Sequence, residues 1–271
     1  MYFEKLYEEF SLLPEVEAIA LGGSRAGDSY DEKSDYDLYI YCSSLPSEDD
    51  RKEIIQKYCS YCEIGNAFWE LEDDCTLSNG IDIDILYRNL ENFESDLSAV
   101  VEKCAARNGY TTAMWHNLLT SKILYDKNGS YARLKERFGV PYPDKLRENV
   151  VLRNLRLLSD NLPSYDKQIK KAVKRKDYVS VNHRVTAFLE SYFDIIFAVN
   201  RLTHPGEKRM VEYAVKNAKI LPDNFEGNIG RLFDNLYINP DKALVVIDDM
   251  IKNLVKICSK NKKNEAKKDN L

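Results

Sequence analysis

Long apolar runs are absent from this 271-residue sequence, and none reaches the length of a membrane-spanning helix. The first residues also lack the basic and apolar segments of a signal peptide. These two absences favour a cytoplasmic protein that has no membrane partner. Internal repeats are absent as well, which excludes repeat architectures and leaves one large domain or two domains of ordinary size.

Histidine and cysteine are scarce, with three and six residues respectively. The spacing Cys59-x-x-Cys62, with Cys75 nearby, is the one pattern that suggests zinc, but no histidine lies close to it in the sequence. We therefore predict free thiols that act as small buried side chains on a helix. For His116 and His183, which fall in predicted helices, packing is the ordinary interpretation.

Charge is distributed unevenly along the chain. Residues 1–100 hold 24 acidic and 7 basic residues, a net charge of −17, so the remaining residues carry +12 of the overall −5. An acidic half suits the binding of cations, and a basic half suits phosphate or an anionic partner. Two differently charged solvated surfaces would give the same distribution, so charge alone does not decide the function.

The most informative stretch begins where the apolar run Val16–Leu21 ends in two glycines, a serine and an arginine. Paired glycines at Gly22 and Gly23 let the backbone approach a bulky anion, with adjacent N–H groups directed at phosphate oxygens. A helix that starts at Ser24 would add its positive end to the same place. The alternative is an ordinary strand-to-helix turn.

Ten residues further on, two aspartates precede a second apolar run, Leu38–Tyr41. On a strand, Asp35 and Asp37 would face the same way, about 7 Å apart. Two carboxylates so placed repel each other unless a cation lies between them, and hard divalent ions such as Mg²⁺ prefer oxygen ligands. The combination predicts metal-assisted chemistry on a nucleoside triphosphate. A solvated strand edge or a helix cap is the alternative.

The composite of Gly22-Gly23-Ser24-Arg25 and Ser34-Asp35-Tyr36-Asp37-Leu38 resembles the signature of the polymerase-β-type nucleotidyltransferases. That superfamily includes antibiotic adenylyltransferases and RNA-tailing enzymes. The resemblance implies a metal site that a third carboxylate completes from a neighbouring strand. Within Ile81–Tyr87, which alternates with the period of a strand, Asp84 matches the family pattern and Asp82 shares its face as a rival.

The resemblance implies an α+β fold: an N-terminal nucleotidyltransferase domain with a small mixed sheet and flanking helices, followed by a C-terminal all-α helical bundle. We place the catalytic domain at residues 1–129, the helical bundle at 130–260 and a disordered charged tail at 261–271. Apolar residues at helical spacing support the bundle, and they are Val185, Leu189, Tyr192, Phe193, Ile196 and Phe197. Motifs around Pro141–Arg147 and Pro205–Arg209 resemble the helical region of a bacterial branch of the superfamily.

The family resemblance also implies roles for the site residues. Asp35, Asp37 and Asp84 would bind two Mg²⁺ ions. The glycine turn, including Gly22, Gly23 and Ser24, would hold the β- and γ-phosphates of ATP or another nucleoside triphosphate. Arg25 would neutralise the leaving pyrophosphate, and Lys208 would reach the triphosphate from the helical domain; for both, an exposed structural role is the alternative.

The first hypothesis for the acceptor is a hydroxyl on a small molecule, such as an aminoglycoside- or lincosamide-like antibiotic. Relatives that modify antibiotics use a glutamate as base, and Glu63, Glu70 and Glu72 are candidates by position. Nucleotidyl transfer to RNA or protein is the second hypothesis, favoured by the basic segment Lys167–Arg184. A non-catalytic nucleotide-binding or antitoxin-like module is the third. We expect a monomer or a homodimer.

Overall fold

The computed structural model describes residues 2–27, 34–67 and 70–268, with side chains described through Ser259. The chain forms two compact units. The first comprises Met1–Ala99 and Met114–Val140, and the second comprises Val100–Ala113 and Pro141–Leu271. The boundary expected after residue 129 therefore differs from the observed division, because the helix that follows it belongs to the first unit.

A six-stranded mixed sheet organises the first unit, with the order β3-β4-β5-β2-β1-β6. Strands β2 and β5 form its parallel pair, and the other neighbours run antiparallel. The elements are α1 Tyr2–Phe10, β1 Val16–Leu21, α2 Gly23–Ala26, β2 Tyr36–Cys42, α3 Glu48–Tyr58, β3 Cys59–Asn66, β4 Glu72–Leu77, β5 Asp82–Asn89, α4 Leu90–Val101, α5 Ala113–Thr120, β6 Lys122–Asp126 and α6 Ser130–Phe138.

One face of the sheet is covered by α1 and α3 and forms the core of this unit. On β5, Ile83, Ile85 and Tyr87 point into that core, while Asp82 and Asp84 occupy the alternate positions. A period-two sequence on a half-covered strand places its apolar side chains on the buried face. The opposite face is therefore free to carry polar groups along β4, β5 and the start of β2.

The α+β class predicted from the sequence is confirmed, but one strand was missed. The sequence pattern by itself predicts a single strand over Glu63–Leu71 and a preceding helix that ends at Cys59 or Tyr61. Instead, α3 ends at Tyr58, β3 occupies Cys59–Asn66, and β4 follows at Glu72–Leu77. Phe68 and Trp69, which the prediction assigned to the strand, lie outside the described residues. Cys59 and Cys62 are thus on a strand and not on a helix.

The second unit is helical, as predicted. Its elements are α7 Asp144–Leu155, a π-helical turn Arg156–Asp160, α8 Tyr165–Lys174, α9 Tyr178–Val199, α10 Met210–Asn217, α11 Phe225–Asn235 and α12 Pro240–Lys268. The predicted apolar face of α9 is buried at every position except Leu189, which is half-buried. Helix α11 had no counterpart among the predicted helices.

The last helix extends further than expected. The sequence pattern predicts that this helix ends at Ser259 and that residues 261–271 are disordered, whereas the backbone of α12 continues to Lys268. The helix thus enters the segment predicted to be disordered.

No described helix is both long enough and apolar enough to cross a membrane. All six cysteines are free thiols, as predicted.

Candidate active site

The polar face of the sheet carries a row of carboxylates across three neighbouring strands. Strands β2 and β5 pair so that Asp37 lies directly beside Asp84. Strand β4 lies on the other side of β5, with Asp74 beside Asp84. Residues directly opposite each other on paired strands project to the same face. The register therefore places Asp74, Asp84 and Asp37 side by side.

A cleft of about 560 Å³ opens over the outer part of this row. Five carboxylates line it, together with a tyrosine, a cysteine and a threonine: Asp35, Glu63, Asp74, Asp82, Asp84, Tyr61, Cys75 and Thr76. Several like charges around one cleft create a strongly negative potential, which attracts cations. Asp35, predicted from the sequence alone, thus shares a cleft with Asp84.

The glycine turn approaches Asp37 closely. Gly23 begins the single-turn helix α2 with a φ of +58°, and a Cβ added to it would lie 1.7 Å from Oδ2 of Asp37. A Cβ on Gly22 would lie 2.2 Å from the ring of Tyr39. Only glycine satisfies both the left-handed backbone and the close approach at residue 23. The turn and the carboxylate predicted to act together are therefore in contact.

Arg25 is buried and not at the surface of the turn, contrary to the alternative that the sequence left open. Its Nε–H donates to the carbonyl oxygen of Ser34 at 2.6 Å, and its guanidinium lies 4.1 Å from the centre of the Tyr36 ring. The Tyr36 ring in turn stacks on Phe3 at 4.0 Å. Because Ser34 and Tyr36 flank Asp35, these contacts hold the carboxylate segment against the glycine turn.

Asp82 and Asp84, the two rivals for the third carboxylate, occupy different surroundings. Asp82 is exposed and accepts a hydrogen bond of 2.8 Å from Oγ1 of Thr76. Asp84 is half-buried and is the residue in register with Asp37. The pairing of β2 with β5 thus favours Asp84 as the partner of Asp37.

The three glutamates considered as bases also differ. Glu70 forms a two-point ion pair with the guanidinium of Arg88, at 2.6 and 2.7 Å. Glu63 accepts a hydrogen bond from the hydroxyl of Tyr61. Glu72 is half-buried, and its burial, followed by the charges of Asp74 and Asp84, raises the pKa of its carboxyl. A raised pKa suits a group that exchanges a proton during catalysis.

Asp74 was missed by the sequence analysis because β4 was missed. Its carboxylate is held by Nδ2 of Asn66, which donates to Oδ2 at 2.7 Å. Only the last three residues of the strand, Cys75, Thr76 and Leu77, alternate between apolar and polar, because the first three are all acidic. Its neighbour Asp73 points the opposite way, into the core, and pairs there with Arg51 at 2.5 Å.

The chemistry of the donor set fits magnesium, because the aspartates offer only carboxylate oxygens, which hard divalent ions prefer. The contact between Gly23 and Asp37 also leaves no room for a side chain at residue 23. In the described conformation, however, no three histidine, cysteine or acidic side chains of the described residues are close enough together to hold one ion. The predicted site residues are thus neighbours without forming a closed coordination shell.

Lys208 belongs to the second unit, in the turn that precedes α10. Its predicted role as a phosphate ligand stays a prediction. Ser24, in contrast, lies in α2 directly after Gly23, as the motif requires.

Comparisons with known proteins give distant likenesses. A family model described as a domain of unknown function, DUF4037, matches residues 110–210. A comparison with curated proteins found no match. A solved structure of a nucleotidyltransferase-like protein from Exiguobacterium sibiricum 255-15 is 12% identical, with a TM-score of 0.42, and the match covers 94% of this chain and 72% of that one.

Two further solved structures are similar. An aminoglycoside 6-adenyltransferase from Bacillus subtilis is 10% identical, with a TM-score of 0.33 over 95% of this chain and 89% of that one. A CCA-adding enzyme in complex with ATP is 11% identical, with a TM-score of 0.30 over 94% and 80%. Likenesses of this size leave the function to be argued from the site.

Proposed function

We propose that this protein is a Mg²⁺-dependent nucleotidyltransferase that moves a nucleoside monophosphate, with AMP from ATP as the first candidate, to a hydroxyl of a small molecule. One observation carries the proposal. The register of β2 and β5 sets Asp37 beside Asp84, and the same Asp37 carboxylate packs against the backbone of Gly23. Two carboxylates that can bind a metal ion thus lie beside a glycine turn that has no side chains. This arrangement is suited to a metal-bound triphosphate.

Each residue then has a defined task. Asp35, Asp37 and Asp84 would hold the ions, which when bound supply Lewis-acid stabilisation of charge on the phosphate oxygens. The backbone N–H groups after Gly22 and the hydroxyl of Ser24 would hold the β- and γ-phosphates. The acceptor oxygen attacks the α-phosphorus, the bond to the β-phosphate bridging oxygen breaks, and pyrophosphate leaves.

The proton of the acceptor hydroxyl requires a base, and Glu72 is the glutamate best suited to that task. Its carboxyl lies on the same face of the sheet as Asp74, one strand away from Asp84. Glu70 is committed to Arg88, whereas Glu72 has a raised pKa that favours uptake of a proton. We assign Glu72 as the general base of the proposed reaction.

The charge of the cleft favours a cationic acceptor. Five carboxylates line it, and all of them belong to residues 1–100, which carry a net charge of −17. A polyamine such as an aminoglycoside would be attracted by this field, whereas an anionic acceptor would be repelled. Between the two antibiotic classes considered from the sequence, the aminoglycoside-like acceptor is thus the better fit.

The test uses the full chain with MgCl₂, one nucleoside triphosphate at a time and a panel of hydroxylated acceptors, and it measures pyrophosphate release. We expect release that depends on both Mg²⁺ and a cationic acceptor. Asp37→Asn and Asp84→Asn should each abolish it, whereas the matched change Asp82→Asn should retain most of it. Turnover that survives Asp37→Asn would refute the metal role of that residue.

RNA is kept as a second candidate acceptor because a specific surface favours it. Along α8 and the turn after it, six basic side chains are exposed: Lys167, Lys170, Lys171, Lys174, Arg175 and Lys176. Such a surface suits a phosphate backbone, although lysine-rich helix faces are often only solvated. Including transfer RNA in the acceptor panel separates the two candidates. If no acceptor in the panel gives pyrophosphate release, a non-catalytic nucleotide-binding module is favoured instead.

A further inference from the structure

A second cleft lies within the helical unit and plays no part in the proposed reaction. Its volume is about 810 Å³, and it lies between α7 with the following π-helical turn on one side and residues 103–108 on the other. Four of its side chains come from one helical face, at spacings of three, four and seven residues: Asn149, Leu152, Arg153 and Arg156. That spacing brings them into a single stripe.

Two hydrogen bonds fix the walls of this cleft. Nδ2 of Asn149 donates to the carbonyl oxygen of Cys104 at 2.8 Å, and Nε of Arg153 donates to Oδ1 of Asn108 at 2.7 Å. Cys104 itself has a φ of +55°, so the segment opposite the helix has a defined turn. Because Arg153 donates here through its Nε alone, the donors of its two terminal amino groups are not used in this contact.

The charges around the cleft are of one sign. Lys103, Arg153 and Arg156 line it, and no acidic residue does so in the part of the chain that the structure describes. Other arginines of the protein do pair with carboxylates, as Arg201 does with Asp144. Within the described residues, these three cations have no acidic partner.

Three uncompensated cations in one concavity repel one another, and the arrangement persists only at an electrostatic cost unless an anion offsets it. Amide donors from Asn108, Asn149 and Asn161 add neutral hydrogen-bonding capacity to the same cleft. The cleft also ends at a π-helical turn, a departure from regular helix that is frequent at functional sites.

We propose that this cleft is a binding site for a small multivalent oxyanion, namely a phosphate ester or a diphosphate. The two arginines, at i and i+3, would hold phosphate oxygens through charge-assisted, two-point hydrogen bonds, and Lys103 would face them from the opposite wall. Leu152 and Leu157 provide apolar surface for the organic part of such a ligand. This site goes beyond the proposed transfer reaction and does not depend on it.

The test is calorimetric titration of the full chain with inorganic pyrophosphate, in EDTA and at low salt. EDTA removes divalent ions, so that binding through the carboxylate cleft is suppressed. We expect one site per chain, with affinity that falls as KCl is raised. Arg156→Met and Arg153→Met should each weaken binding at least about tenfold, the expected effect of losing a charge-assisted hydrogen bond. Circular dichroism checks that the variants are folded.

Two matched control variants test whether pyrophosphate binds in this cleft. Arg175→Met removes an exposed arginine of the same unit outside the cleft, and Asp84→Asn alters the proposed active site; both should bind pyrophosphate like the unaltered protein. The proposal is overturned if the unaltered protein does not bind, if Arg175→Met weakens binding as much as Arg156→Met, or if only Asp84→Asn changes it. Failure of nucleotidyl transfer would leave these results untouched, so the two proposals fail separately.

Discussion

Arg25 donates a hydrogen bond of 2.6 Å from its Nε to the carbonyl oxygen of Ser34, which joins the glycine turn to the segment that carries the first carboxylate. The same guanidinium lies over the Tyr36 ring, so both chain neighbours of Asp35 contact one side chain. A planar guanidinium can donate at its edge while its face lies on an aromatic ring. The structure therefore suggests that Arg25 positions Asp35.

We predict that Arg25→Lys will impair turnover almost as much as Arg25→Ala, because an ammonium group cannot make the edge and face contacts together. Misplacement of Asp35 should lower kcat roughly 10- to 100-fold and raise the Mg²⁺ concentration needed for half-maximal turnover. Pyrophosphate release measured against Mg²⁺ concentration checks this. Arg133→Ala, which removes an exposed arginine of the same unit, is the control. Full activity in Arg25→Lys would contradict the positioning role.

Gly23 offers a second test of the same centre. Gly23→Ala places a Cβ where Oδ2 of Asp37 now lies, so the carboxylate must move, and a left-handed alanine costs a further 1–2 kcal/mol or so. We expect loss of Mg²⁺-dependent pyrophosphate release together with a lower free energy of unfolding in urea.

Gly80→Ala is a matched control for Gly23, since Gly80 also has a positive φ but no atom near an added Cβ. Gly80→Ala should lower the free energy of unfolding and leave Mg²⁺-dependent pyrophosphate release unchanged. Equal activity in the two alanine variants would mean that the contact between Gly23 and Asp37 has no bearing on turnover.

The sequence predicted the centre of the first unit because its signals are local. Strong β-forming residues alternate along β5, and this alternation alone set Asp82 and Asp84 on one face, as observed. The glycine turn and the Asp35–Asp37 segment were likewise visible as a motif.

Strand β4 was not predicted because its sequence begins with three acidic residues, which are uncommon in strands. Asp73, the second residue of the strand, is fully buried, and its charge is compensated by Arg51 of α3 and by the hydroxyl of Tyr87, which donates to its carboxylate at 2.8 Å. Those partners are far away in sequence, so no local pattern reveals that the aspartate can be buried. Missing β4 also meant missing Asp74.

The compact units of the structure divide the chain at a different place from the expected boundary, for a similar reason. Helix α6 belongs to the first unit through side chains that contact α5: Nε1 of Trp115 donates to the carbonyl oxygen of Phe138 at 2.8 Å. In addition, Nζ of Lys135 donates to three carbonyl oxygens at the end of α5, those of Leu118, Leu119 and Ser121. The turn Lys127–Ser130 resembled a linker, but tertiary contacts of this kind decide where a unit ends.

For the proposed base, Glu72→Gln keeps the size of the side chain and removes its ability to take a proton. We predict a fall in kcat of about 100-fold or more, with little change in the KM for the nucleotide. Glu63→Gln, at a more exposed carboxylate that lines the acidic cleft, should have a small effect. If Glu63→Gln lowers kcat strongly and Glu72→Gln does not, Glu63 is the base and the assignment of Glu72 is wrong.

In the second unit, Asp194 should make stability depend on pH. Its carboxylate is buried and accepts hydrogen bonds from N and Oγ1 of Thr111 and from Nδ2 of Asn154. Burial outweighs these bonds and raises its pKa from 3.8 to about 6. The folded state thus binds this proton more tightly than the unfolded state, and the resulting stabilisation is complete below pH 4 and is lost as the pH rises through 6.

Asp194→Asn should remove that dependence, which is worth roughly 2 kcal/mol across the interval from pH 4 to pH 6. The measurement is the free energy of unfolding in urea at several pH values, compared between variant and unaltered protein. The difference between their free energies of unfolding should change with pH between pH 4 and pH 6 and become constant at higher pH. Asp160→Asn, at an exposed aspartate of the same unit, should follow the unaltered protein throughout. A constant difference between pH 4 and pH 7 for Asp194→Asn would show that the buried carboxyl does not titrate there.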